Sequence, residues 1–175
     1  MQMDYNAAEI YLDSALVIVN NNLGDNTKEA AMFYNQRGVI LDHNNQFEEA
    51  LMCYEKAEEI TKSLYGESPT DFAGIYYNIG NLYNKTAQYD KALSYYEKAL
   101  DICKSNESTD NSLEIAGLTD NIGILYGKSG DFLKELEYHQ EALKQRLATV
   151  GSNHPAVASS YHNLGTLYGA LQSWD

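Results

Sequence analysis

Apolar positions along the chain follow a helical rhythm that returns four times around a glycine. Gly38, Gly80, Gly123 and Gly165 are separated by 42, 43 and 42 residues. Tyr34, Tyr76, Thr119 and Tyr161 stand four residues before these glycines; Leu41, Tyr83, Tyr126 and Tyr168 stand three after. Ile79, Ile122 and Leu164 directly precede three of them. At 3.6 residues per turn these offsets share one stripe, so each glycine is predicted inside an amphipathic helix, not in a turn. Glycine costs about 1 kcal/mol against alanine there. The expected compensation is a neighbouring helix so close that a Cβ would clash. A period of this length marks stacked helical units instead of a single closed core.

A second helix is predicted after each first one. It opens with an aromatic nine residues past the glycine: Phe47, Tyr89, Phe132 and Trp174. Ala50, Tyr54 and Ala57 follow in the first repeat, and Ala92, Tyr96 and Ala99 in the second. Small residues facing the glycine column would let the two helices pack tightly. The connections His43 to Gln46, Thr86 to Gln88 and Ser129 to Asp131 are short enough to force antiparallel neighbours. Pro69 and Pro155 sit at matching places, where proline suits the first turn of a helix. Ala8, Leu12 and Ala15 precede Gly38 at the distances at which Ala50, Tyr54 and Ala57 precede Gly80. The segment 4–22 is therefore expected to be a second helix without its first. Trp174 and Asp175 stand where Tyr89 and Asp90 open the second helix of their repeat. The expected organisation is one array over 1–175 that starts and stops inside repeats. It comprises an orphan helix over 4–22, repeats over about 29–65, 70–107 and 112–150, and an orphan helix over 155–171. A segment taken from a longer array would look like this, since natural arrays end in polar caps.

These columns resemble the tetratricopeptide repeat, over essentially the whole chain. The longer period is similar to that of kinesin light chains, bacterial peptide-sensing regulators and polarity scaffolds. The resemblance implies an all-α, right-handed superhelical solenoid of antiparallel helix pairs with about eight helices. It also implies that first helices line a concave face that binds proteins without covalent chemistry.

Composition adds limits. The formal net charge is −13, from 12 basic and 25 acidic residues. First helices taken as 31–43, 73–85, 116–128 and 158–170 hold Arg37, Lys85 and Lys128 against Asp42 and Asp120, a sum of +1. The acidity therefore belongs to the rest of the chain. With no basic stripe, nucleic acid is not an expected partner. No apolar run is long enough to span a membrane, so no membrane association is expected. Cys53 and Cys103 are too few for a disulfide framework and read as reduced helix residues in an intracellular, cytoplasmic setting. No cofactor, metal site or catalytic residue is expected. His43, His139, His154 and His162 are too dispersed for metal ligation, and Glu48–Glu49 and Glu58–Glu59 read as solvated faces.

The candidate binding residues form a column. Two residues before each glycine stand Gln36, Asn78, Asn121 and Asn163. A carboxamide both donates and accepts, so it can hold the backbone of an extended peptide without reading its side chains. In similar families an asparagine column has that role. The alternative is that these amides cap or bridge helices, because buried amides need partners. Tyr77 and Lys85 are the expected side-chain readers, with Asn81 and Lys128 beside them. Asn35, Asp120, His162, Val39, Ile124 and Thr166 flank the same face. In the third repeat Glu135 and His139 replace the alanine and the aromatic. Four residues apart, they are expected to pair unless Glu135 turns to solvent. The reading is a peptide-binding module. The alternatives are end-to-end self-association through open repeats, or an accessory domain of a larger regulator or enzyme.

Overall fold

The computed structural model describes residues 5–24, 26–66, 71–106 and 111–172. Pro69, Trp174 and Asp175 lie outside them. The described residues form eight helices and no strand. These are α1 (Tyr5–Leu23), α2 (Lys28–His43), α3 (Phe47–Tyr65), α4 (Asp71–Lys85), α5 (Tyr89–Ser105), α6 (Ser112–Lys128), α7 (Phe132–Val150) and α8 (Pro155–Gln172). Contacts divide the chain into two compact units, one through Thr86 and one from Ala87. In the first, α1 to α4 pack in chain order; in the second, α5 to α8 do the same.

The helices start and stop where their residues dictate. Thr27 accepts a hydrogen bond from Ala30 N at 3.2 Å and Asp131 one from Lys134 N at 3.2 Å, each satisfying an otherwise orphaned first-turn donor. His154 Nδ1 accepts from Ala156 N at 3.1 Å, with Pro155 opening α8 behind it. Helices α2 and α6 close alike: Gln46 N donates to the Leu41 carbonyl and Asp131 N to the Tyr126 carbonyl, both at 2.9 Å. That closure requires one residue of left-handed backbone. Asn45 (φ 61°), Ala87 (φ 57°) and Gly130 (φ 85°) occupy the same place, seven residues past their glycines. Asparagine and glycine tolerate it; Ala87 carries a Cβ cost of about 1–2 kcal/mol.

The core follows the repeat columns. Ala50, Ala57, Ala92 and Ala99 are fully buried, as are the aromatics Tyr54 and Tyr96 between them. The glycine column marks close approach at Gly38 and Gly123, where tyrosines of the second helix make it and not the alanines: Tyr54 of the aromatic column, and Tyr138 one place before that column. A Cβ built on Gly38 would lie 2.5 Å from Tyr54 Cε1, and one on Gly123 would lie 3.0 Å from Tyr138 Cβ. A Cβ on Gly165 would meet nothing within 4 Å among the described residues. Burial, helped by the charge of Asp42, pushes the Tyr54 phenol well above its ordinary range. Cys53 and Cys103 are both buried and neither forms a disulfide. Burial, aided by Glu114, moves the Cys103 thiol up to about 11.

Among the described side chains of α1 the buried one is Leu16, packed with Ala30, Ala31 and Ile60, whereas Leu12 and Ala15 are half-buried. Leu16 faces α2, the helix against which α1 packs, so burial follows that neighbour. Arg37 breaks the aliphatic column before the glycine and instead reaches Asp13 of α1 at 2.9 Å.

Candidate functional site

In the first unit the amides lie on α2 and α4. Gln36 is exposed. Asn78 is half-buried, and its Nδ2 donates to Asn35 Oδ1 at 3.0 Å, linking the two first helices. Here the amide bridges helices, the alternative role for this column. Lys85 Nζ lies 2.5 Å from Asp42 Oδ2, so it is committed to an ion pair within the unit. Asp42 is buried and Lys85 is about half exposed. Tyr77 keeps 38% of its surface exposed and Asn81 is half-buried. Glu58 is not simply solvated: Tyr76 Oη of α4 donates to it at 3.1 Å. Glu59 pairs with Lys56 at 2.8 Å.

In the second unit Asn121 on α6 and Asn163 on α8 are both half-buried. Neither side-chain amide makes a hydrogen bond among the described residues. A pocket of about 360 Å³ lies between α6, α7 and α8. Ile124, Phe132, Leu167 and Ala170 give it apolar walls. Lys128, Glu135, His139, His162 and Asn163 supply its polar lining. The Lys128 ammonium lies over the Tyr89 ring, 5.4 Å from its centre. Gly127 admits the Glu135 carboxylate, since any Cβ there would run into it.

Beneath the pocket is a buried polar network. His139 Nδ1 lies 2.8 Å from Asp120 Oδ1. Arg146 Nη1 donates to Asp120 Oδ2, and to Ser160 Oγ at 2.5 Å. Asp120, His139, Arg146 and Ser160 are each below 9% exposed. The expected pairing of Glu135 with His139 is present, Oε1 lying 3.6 Å from Nε2. Asp120 must be reassigned. It is not a flanking reader on the binding face but the centre of this network, because Arg146 and His139 both reach it from α7. Beside it Tyr126 stacks on Tyr138 at 5.4 Å, and burial first, then the Tyr126 neighbour, raises the Tyr138 phenol.

Reading from the columns alone missed Arg146 and Ser160. A signal existed: Arg146 stands twenty-three residues past its glycine, where other repeats have Thr61 and Cys103. Ser160 stands five before its glycine, where others have Phe33, Ile75 and Leu118. Two polar residues in otherwise buried columns imply that each finds the other or a shared partner.

With this geometry established, comparison with known proteins identifies the class. The tetratricopeptide repeat family profile matches residues 71–148 and 114–175, and a second profile of that description matches 31–63. The chain belongs to the tetratricopeptide repeat family, whose members serve generally as protein-interaction scaffolds. The crystal structure of BtubC (BKLC) from P. vanneervenii is similar, with 28% identity and a TM-score of 0.77 over 86% of this chain. This chain spans 59% of the length of that structure. Kinesin light chain TPR-like repeats from Podosopora anserina superpose with a TM-score of 0.77 at 16% identity, covering 97% of this chain and 80% of theirs. The N-terminal domain of stress-induced protein-1 from C. elegans gives 0.58 at 18% identity, over 78% of this chain and 95% of that one. The fold is thus that of tetratricopeptide-like solenoids. No curated protein sequence matches significantly. No described helix is long and apolar enough to cross a membrane.

Proposed function

We propose that the chain is a non-enzymatic scaffold that holds an extended peptide segment of a protein partner on the face of its first helices. The observation that carries this is that Asn121 and Asn163 stand half-buried on α6 and α8, with Asn163 in the wall of the pocket between those helices. Packed first helices are spaced by roughly 10 Å. An extended peptide advances about 3.3 Å per residue, so one amide would meet roughly every third peptide residue. Gln36, Asn78, Tyr77, Asn81, Lys85 and Lys128 extend the candidate set. In the first unit the bonds Asn78–Asn35 and Lys85–Asp42 would have to be shared with, or yielded to, a peptide.

The test is capture of a random octapeptide library by the full chain and by the Asn121→Ala/Asn163→Ala variant. Capture is expected to fall at least tenfold in the variant with the helical circular dichroism unchanged. Equal capture by both rejects the amide column as the binding element.

Self-association is a second reading, favoured by apolar exposure on α1 and α8. Tyr11, Val17 and Ile18 of α1, and Tyr161 and Tyr168 of α8, are each more than two-fifths exposed. This reading expects the weight-average mass in sedimentation equilibrium to rise with protein concentration. A chain that stays monomeric at high concentration excludes it.

A further inference from the structure

The bond from Asn78 Nδ2 to Asn35 Oδ1 leaves half of each amide unused. A carboxamide has a donor end and an acceptor end, and this bond takes one of each. Asn35 Nδ2 and Asn78 Oδ1 make no hydrogen bond among the described residues. Turning both amides over leaves the same remainder, one donor and one acceptor. Both residues are half-buried, and neither unused end is sealed from water. The second unit has no such pair. Asp120 and Asn163 hold the matching places of α6 and α8, but Asp120 is taken by Arg146 and His139.

One donor beside one acceptor matches a single residue of extended chain. Such a residue turns its N–H and C=O to the same side, as in the hydrogen-bonded pairs of an antiparallel ladder, and its neighbours turn theirs away. Asn35 also lines a pocket of about 320 Å³ between α2, α3 and α4. Ala31 and Ile75 are buried in its wall, and Met32 and Tyr65 stand half exposed there. The Thr61 hydroxyl in the lining already donates to the Ala57 carbonyl at 2.8 Å. Lys28 is the charged group of the lining and opposes a basic occupant. Ligand pockets run from about 300 to 1,000 Å³, so this one has room for a side chain and not for a helix. We propose that the first unit anchors one apolar residue of the bound peptide at this place. Its backbone N–H donates to the acceptor end of the Asn35–Asn78 pair, its C=O accepts from the donor end, and its side chain enters the pocket. Asn78 then bridges two helices and holds the peptide at once. The proposal rests on the peptide-binding reading and adds to it Asn35 as a backbone contact and a side-chain preference.

The experiment presents a positional-scanning octapeptide library to the full chain. One position is expected to enrich leucine, methionine or phenylalanine and to exclude lysine and arginine. That preference is expected to fall at least tenfold in Met32→Ala/Tyr65→Ala, whose truncated side chains are half exposed and lie outside the core. Asn35→Asp keeps the oxygen that Asn78 bonds and deletes the donor. It is expected to lower capture at least tenfold with the helical circular dichroism unchanged. Methylating the backbone nitrogen of the enriched peptide residue makes the same test without altering the protein. It is expected to weaken capture at least tenfold, and methylation of the residue before it much less. Capture without an apolar preference overturns the subsite and leaves the peptide reading standing. So does a preference that survives the pocket variant, or an N-methyl peptide captured as well as its parent. A wild type that captures nothing overturns the peptide reading and the subsite with it.

Discussion

Replacing Asp120 by alanine is expected to destabilise the chain by about 3–5 kcal/mol, the usual cost of orphaning a buried ion-pair partner. Arg146, 8% exposed, would lose the carboxylate that balances it, and His139, 2% exposed, would lose the acceptor that fixes its ring. Ser160 cannot substitute, because a hydroxyl carries no charge. The urea midpoint of the variant measures the loss. Asp42→Ala is the internal control. Its partner Lys85 is 44% exposed, so it can relax into water and contributes little. A much smaller shift is expected there. Removing the network as a unit tests the same logic. Asp120→Asn with His139→Tyr and Arg146→Thr installs the residues found at the matching places of the first repeat, Asn35, Tyr54 and Thr61. That triple variant is expected to lose less than Asp120→Ala alone, since no buried charge is left unpaired. A triple variant less stable than D120A would mean that the network organises the unit beyond pairing its own charges.

Gly38→Ala is expected to destabilise by about 1–3 kcal/mol, the cost of overpacking a filled site. The new methyl would lie 2.5 Å from Tyr54 Cε1 and 2.7 Å from Cδ1. Tyr54 is 1% exposed, so its ring has no free space into which to swing. The helical gain of alanine over glycine, about 1 kcal/mol, offsets only part of this. Gly165→Ala is the matched experiment with the opposite sign. No described residue lies within 4 Å of its added Cβ, so the propensity gain should appear as a small stabilisation. Thermal unfolding of the two variants side by side checks the pair. A stabilised Gly38→Ala would show that the close approach of Tyr54 is not what the glycine column is for.

The glycine interval made the helices and their order legible, because helix periodicity and turn chemistry are local properties. Phe47, Tyr89 and Phe132 begin α3, α5 and α7, as the offset of nine implied. The alanine–tyrosine–alanine columns are buried for the same reason. The Glu135–His139 pair was also within reach, because four residues on one helix meet whatever surrounds them. Asn78 was less transparent. Its amide could serve a peptide or a neighbouring helix, and only the tertiary structure shows the bond it makes to Asn35.

By itself the sequence determined the repeat, the number and order of the helices, and the small-and-aromatic columns of the core. Each follows from spacing along one helix or across one short turn. The tertiary structure decided which polar side chains find one another. Asp120 and Asn78 stand one place apart in the repeat, yet one centres a buried charge network and the other bridges two helices. Residues from separate helices set that difference: Arg146, His139 and Ser160 in one case, Asn35 in the other. Hydrogen bonds and ion pairs need approach to about 3 Å between groups distant in sequence. That distance is a property of packed helices, and no periodicity within one helix contains it.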